Sequence, residues 1–361
     1  MNIKCKTGKA CGKRCISRAY KCKGQSLLSP SENNSAALLA VAAGSAAAIA
    51  IANNYSFQAT LPKRELSLRE NVDNLEADAE KLKQGNLGSV AIVKDKATGI
   101  KYVIKQSFND LSSRYALLQT SSEVTASDIA AAANIGMSRA TMIPHDVDTP
   151  LKTRQRVGAT LHTFAPGKPI KDLQDAGFQK FQDFNLKQER GMTDQILQSM
   201  SLNKELSKIA AFDTFIGNWD RKGENLFYDE KNNRYTGIDN GLSFTRNLGK
   251  DNNRYFEKLD FSKLSRKQIS SIQTYTNTLE KLIKDNPPKK TIERYASYAS
   301  QESSEKWELY KQLFPYQNIN SNYKSNVKLA QTLKQKLKEF KLDNSDFYPK
   351  YFDAYLQAAR I

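Results

Sequence analysis

The stretch from Gly217 to Phe244, GNWDRKGENLFYDEKNNRYTGIDNGLSF, sets Asp220, Asn225 and Asp239 around one strand, turn and strand pattern. All three are ion-coordinating residue types, and a surface hairpin needs no such set. Asp220 and Asn225 stand five residues apart, a spacing at which an acid can orient a nucleophile while the amide oxygen binds a hard cation. That pair alone recurs by chance in most chains of this length. Asp239, 14 residues beyond Asn225, gives it weight, because the intervening segment reads as a hairpin whose second strand returns Asp239 beside Asn225. Gly241 then follows the acid by two positions, a D-x-G arrangement.

This is the layout of a kinase catalytic loop followed by its metal-binding loop, and it demands parts upstream: a strand lysine for the nucleotide phosphates, a helical acid to hold it, and a turn over the phosphates. The segment GNLGSVAIVKDKATGIKYVIKQS, residues 85–107, alternates apolar and polar residues on both sides of DKATG and reads as a β-hairpin. Lys105 ends its second strand, and Gly85 and Gly88 open its first. SSEVTASDIAAAANI reads as a helix beginning near Ser121 or Ser122, which places Glu123 close to its start. Taken singly, Lys105 is an ordinary strand-end lysine, Glu123 a helix-start acid favoured by the macrodipole, and the glycines a turn. Their common order on the required element types is what favours a site.

FDTFIGNWDRKGENLFYD and GIDNGLSF together resemble the catalytic and metal-binding loops of phosphatidylinositol 3-/4-kinases, nearest to the type II 4-kinases, and also those of HipA-like and secretory-pathway kinases. The resemblance is specific over residues 212–244, looser over 85–170, and absent from the first 60 residues and most of the last hundred. It implies a two-lobed, protein-kinase-like α+β fold with a small β-rich N-lobe and a mostly helical C-lobe. It also implies ATP and Mg2+ as cofactors: Asp220 as catalytic acid/base, Arg221 neutralising charge beside it, and Asn225 and Asp239 as metal ligands. Lys105 would contact the nucleotide phosphates while pairing with Glu123, with Gly85, Gly88 and Val90 on the nucleotide's phosphate side. The stretch 160–167, including Thr163 and Phe164, would be the hinge that reads adenine through backbone groups, leaving His162 as an incidental strand residue. Asp213 would shape the loop. Lys222 stands where many lipid 3-kinases have His, and Asn240 replaces the aromatic of the protein-kinase D-F-G triplet.

The 361 residues, 39% hydrophobic and 26% charged, read as a globular chain with room for a sizeable core. The net charge of +17 is uneven: residues 1–34 carry +7 and residues 261–361 carry +8, leaving +2 between them. Basic ends suit an anionic partner such as a membrane surface, or are simply solvated, and a nucleic-acid partner is not expected because the excess does not surround the chemistry. Cys5, Cys11, Cys15 and Cys22 are the only cysteines, and a body without cysteine fits a reducing compartment. Their spacing matches no common zinc-finger pattern, so zinc, two small disulfides and free thiols all stay open.

The expected organisation is a basic cysteine-containing segment over 1–34, an Ala-rich segment and linker over 35–60, an N-lobe with hinge over 61–168, and a helical C-lobe over 169–361. Residues 36–52 are uncharged, span roughly 26 Å as a helix and are thinly hydrophobic, which favours a non-spanning helix with membrane insertion as the alternative. A cytoplasmic location, with membrane association through 36–52, is the corresponding expectation. Residues 65–83 read as helical, and VGATLHTFAPGKPI as a strand entering a Pro-Gly turn. Leu329, Leu333, Leu337 and Phe340 share one helix face, most simply a core-packing face.

The function expected is an ATP-dependent kinase acting on a protein or lipid hydroxyl. The alternatives are a catalytically inactive kinase-like nucleotide binder or scaffold, and a nucleotidyl transferase on the same fold.

Overall fold

The computed structural model describes residues 9–11, 14–16, 75–77, 83–84, 88–108, 113–143, 156–299 and 315–345. The chain divides into two compact units, residues 1–47 and 48–361. In the first, β1 (Lys9–Cys11) and β2 (Arg14–Ile16) pair antiparallel, with Cys11 opposite Arg14 and Cys15 opposite Ala10. Cys5, Cys22 and the Ala-rich segment 36–52 lie outside the described residues, and so do Gly85 and residues 65–74. No helix among the described residues is long and apolar enough to cross a membrane.

The second unit opens on an antiparallel sheet. It contains β3 (Leu75–Ala77), β4 (Lys83–Gln84), β5 (Gly88–Asp95) and β6 (Lys101–Phe108). The helix α1 (Ser113–Ala133) follows, then β7 (Ala140–Ile143) and β8 (Arg156–Thr163). The strand order is β3-β5-β6-β8-β7, with β4 also on β5. Asp95 makes the β5–β6 turn: its carboxylate accepts from the N–H groups of Ala97 (3.0 Å) and Thr98 (2.6 Å), and Gly99 takes φ +73° to complete the reversal. The alternation then sorts the faces. Val93, Ile104, Ala159, Leu161 and Ile143 form a small core with Leu75 on one face. Val90, Lys105 and Thr160 stand opposite one another in register and share the other.

Two expectations need correction here. Residues 75–77 are a strand on β5, not part of a helix: an open sheet edge offers backbone partners that override a helical apolar spacing. And α1 begins at Ser113, not near Ser121 or Ser122, so Glu123 lies well inside it and gains nothing from the helix's first turn. No Gly or Pro interrupts residues 113–133, so the helix propagates through the two serines, which are buried mid-helix and are not caps.

The C-terminal lobe follows β9 (Lys168–Pro169). Its helices are α2 (Ile170–Asp175), α3 (Asp194–Met200) and α4 (Lys204–Ile216). After β10 (Leu226–Asp229) and β11 (Arg234–Gly237) come α5 (Leu248–Lys258), α6 (Arg266–Asp285), α7 (Pro288–Ala299) and α8 (Pro315–Ser345). β11, β10 and β9 form a second small sheet. Lys168, assigned above to the N-lobe, therefore pairs in this lobe, opposite Tyr228. One large apolar core joins α4, α6, α7 and α8. Leu329, Leu333 and Leu337 are buried in it and Phe340 packs against it, each buried leucine contributing about 1.5–3 kcal/mol.

The result is a two-lobed α+β fold, an antiparallel β-rich lobe followed by a mostly helical one. Backbone bonds join the lobes: Gly237 N–H donates to Gly136 O at 2.9 Å and Ser138 N–H to Gly237 O at 2.8 Å.

Candidate active site

The catalytic-loop segment is positioned by the end of α4. Asn203 caps the helix start by accepting from Glu205 N–H, and Gly217 ends it in the left-handed region at φ +66°. A Cβ at Gly217 would overlap the Arg246 carbonyl oxygen, so only glycine fits this reversal. Asn322, from α8, donates to Phe215 O at 2.7 Å and to Thr214 O at 3.3 Å, satisfying carbonyls that the helix terminus leaves open. The chain then turns at Asn218, whose Oδ1 accepts from Asp220 N–H at 3.1 Å, and passes through a short 3-10 turn, Gly223–Asn225, into β10.

The β10–β11 hairpin brings Asp239 back. Leu226 pairs with Gly237, and Ile238 N–H donates to Asn225 O at 3.0 Å, so Asp239 leaves the hairpin next to Asn225. Asp239 itself takes φ +62°, a conformation unusual for a residue with a side chain. Lys105 Nζ lies 2.6 Å from Glu123 Oε1 and 3.1 Å from Asp239 Oδ1, joining β6, α1 and the metal loop through one ammonium. Glu123 Oε2 accepts from Asn240 N–H at 2.8 Å. Ser122 Oγ donates to Ser243 O, and Ser127 Oγ accepts from Ala140 N–H, which fixes α1 above the loop and beside β7.

These contacts set the charges. Burial opposes the Lys105 charge, but Asp239 and Glu123 outweigh it and raise its pKa. Lys105 draws the Asp239 carboxyl down to about 2. Burial raises Glu123 despite Lys105, and burial also raises Asp220, against the pull of Lys222 whose Nζ is 3.9 Å from Asp220 Oδ2. One lysine thus faces two carboxylates, an excess of negative charge that suits a cation.

Asn225 is almost fully buried. Its Nδ2 donates to Asp220 O at 3.0 Å and, more weakly, to Asp220 Oδ2 at 3.4 Å, which orients the amide. Asn225 and Asp239 therefore offer hard oxygens of the kind Mg2+ takes, as one or two protein ligands beside water and phosphate. No group of three or more His, Cys, Asp or Glu suited to a metal occurs among the described residues, and a two-ligand magnesium site requires none.

Arg221 is paired inside the protein. It is fully buried, with Nε 3.1 Å from Asp213 Oδ2 and Nη2 3.0 Å from Asp213 Oδ1. It also donates to Asn225 O (3.1 Å), to the Ile238 carbonyl and to Asn240 Oδ1 (2.6 Å). It is a positioning residue that clamps the Asp220–Asn225 turn to the Ile238–Asn240 segment, and Asp213 is the clamp's counter-ion. Such a fork needs a planar, five-donor guanidinium.

Thr163 needs correction too. Its N–H donates to Arg139 O, its carbonyl accepts from Ser138 Oγ and its hydroxyl accepts from Arg139 N–H, so its polar groups tie β8 to the preceding turn. Phe164 and Ala165 make no such backbone bonds among the described residues, and the Phe164 ring is exposed. Val90 is half-buried opposite Lys105, and Gly88 lies at the start of β5 opposite Ser107. His162 is buried with Nε2 2.8 Å from Thr160 Oγ1, and burial, with Lys105 nearby, holds its pKa well below the usual value.

Trp219, Arg246 and Lys187 were not anticipated. The Arg246 guanidinium lies 4.3 Å over the Trp219 ring, directly before Asp220. The chain spacing carried no sign of this, although an aromatic beside Asp220 was visible in NWDRK.

No family model and no curated protein sequence matches the chain. Among solved structures it is similar to the Helicobacter pylori proinflammatory kinase CtkA. The TM-score is 0.41 at 12% identity, over 73% of this chain and 96% of that one.

Proposed function

We propose that this chain is an ATP- and Mg2+-dependent phosphotransferase that moves the γ-phosphoryl group to an alcohol acceptor. The observation that carries this reading is Lys105, held between Glu123 and Asp239 beside the Asp220–Asn225 turn. On this reading Lys105 holds the nucleotide's α- and β-phosphates, with Gly88 and Val90 along the same side of the sheet. Phe164 and Ala165 present backbone groups to adenine. Asn225 and Asp239 would hold Mg2+, which when bound offsets phosphate charge. Asp220 orients the acceptor hydroxyl and takes its proton as the oxygen–phosphorus bond forms and the β,γ-bridging bond breaks. The loop sequences 212–229 and 237–244 favour a relationship to phosphatidylinositol 3-/4-kinases of the type II kind and to HipA-like kinases, acting in the cytoplasm.

The test is transfer of label from ATP by purified full-length chain, with intact-mass analysis of the acceptor. Phosphate, not adenylate, is expected on the product. Asp220→Ala and Asp239→Ala should abolish transfer while keeping the wild-type circular dichroism spectrum. Wild-type turnover in either variant refutes the assignment.

A further inference from the structure

Lysines lie by Asp220, and arginines by its neighbour Trp219 and by Glu189. Lys222 stands 3.9 Å from the Asp220 carboxylate, and Lys187 is close enough to act on its charge. Arg246 is stacked on Trp219, and its Nη1 donates to Glu189 O at 2.7 Å. Arg190 is exposed in the turn between Glu189 and Gly191, and Lys187, Arg246 and Arg190 all pull on the Glu189 carboxyl.

The acids on these segments are already engaged, Glu189 with Lys187 at 2.9 Å, Glu224 with Lys222 at 3.2 Å, and Asp251, packed against Gly191, with Arg254 at 3.9 Å. Neither Arg190 nor Arg246 makes an ion pair among the described residues. An ordinary solvated arginine swings freely. Arg246 instead is held by a ring face and a carbonyl oxygen, two neutral contacts that fix the guanidinium plane without consuming its charge. A fixed planar fork is the geometry that recognises carboxylate or phosphate.

We propose that the acceptor is a serine or threonine on an acidic peptide, with flanking carboxylates read by Arg246 and Arg190. This rests on the phosphotransferase reading and specifies its substrate class. The peptide Oγ would form a bond to the γ-phosphorus as the bond to the β,γ-bridging oxygen breaks; ADP leaves with that electron pair, and the hydroxyl proton passes to Asp220. A lipid headgroup would also satisfy the cations, but bilayer docking calls for exposed apolar side chains around them. The large hydrophobic residues exposed among the described residues are Ile100, Phe164, Phe178 and Leu202, and none lies in the segments 185–191, 217–225 or 241–247 that form this surface.

The experiment uses the full chain with ATP and Mg2+ and three acceptors: a peptide with Ser flanked by Glu, the same peptide with every Glu replaced by Gln, and phosphatidylinositol vesicles. Binding of the two fluorescently labelled peptides is measured alongside. The Glu peptide should have a kcat/KM at least about tenfold above the Gln peptide, and Arg246→Ala should reduce that ratio by about tenfold. The preference should also shrink as ionic strength rises from about 0.05 M to about 0.5 M. Equal use of the two peptides, or transfer to vesicles alone, overturns the proposal. If the chain transfers phosphate to nothing but binds the Glu peptide selectively, and Arg246→Ala loses that selectivity, the acidic-peptide surface stands and the phosphotransferase reading falls. Equal binding of both peptides without transfer ends both.

Discussion

Glu123 accepts from the backbone N–H of Asn240 at 2.8 Å while its other oxygen holds Lys105, so one carboxylate joins α1, β6 and the Asp239–Asn240 segment. Removing it has separable effects. Glu123→Ala orphans a buried N–H and should destabilise the fold by about 1–3 kcal/mol. It should also lower kcat/KM about a hundredfold by releasing Lys105. Glu123→Gln keeps an acceptor for Asn240 but loses the charge, so its denaturant midpoint should stay near wild type while turnover falls. A Gln variant as unstable as the Ala variant would show that the Asn240 bond is not what matters.

Lys222 sets where Asp220 titrates. Burial raises the Asp220 pKa and Lys222 lowers it, and the residue accepts a proton only as the carboxylate. Activity should therefore be lost as pH falls through this raised pKa. Lys222→Met removes a stabilising positive charge, so the acid limb of the kcat profile should move to higher pH. Asp239, held near 2, stays ionised throughout that range and contributes nothing to the limb. An unmoved limb in Lys222→Met would assign it to another group.

Arg221 carries a mechanical load. Arg221→Ala leaves Asp213, side chain 1% exposed, as a buried charge without its partner, at a cost of about 3–5 kcal/mol. Arg221→Lys should recover little, because an ammonium cannot span Asp213, the Asn225 and Ile238 carbonyls and Asn240 together. Urea unfolding decides it: a Lys variant within about 1 kcal/mol of wild type would contradict the clamp.

His162 should make stability depend on pH. In the fold its pKa lies well below 6.5, so the imidazole stays neutral, whereas the unfolded chain takes up a proton near that value. Stability should accordingly fall as pH drops below about 6.5, by up to about 1.4 kcal/mol per pH unit from this group. His162→Gln, which can still meet Thr160, should flatten the slope between about pH 5 and 6.5 by that amount. An identical slope in the variant would mean that the ring is protonated in the fold.

The sequence was most legible where the pattern is local. Alternation on both sides of DKATG marked β5 and β6 because the turn is built by Asp95 and Gly99 within the hairpin. The hairpin between Asn225 and Asp239 was legible for the same reason. Residues 75–77 were not, because their strand exists only through pairing with β5, 18 or so residues later in the chain. The early start of α1 was hidden by serines that look like caps but are buried. The burial of Arg221 was not legible, because its counter-ion Asp213 stands eight residues earlier on another element. Arg246 over Trp219 was invisible, being a contact across a bend that Gly217 and Phe244, both at positive φ, create together.

That bend leaves little rope. Only residues 240–247 connect Asp239 to α5, and Ser243, Phe244 and Asn247 are each tied back, to α1, to Ile216 and to α8. A tether this taut has no slack with which residues 240–247 could swing away from the Lys105–Asp239 pair.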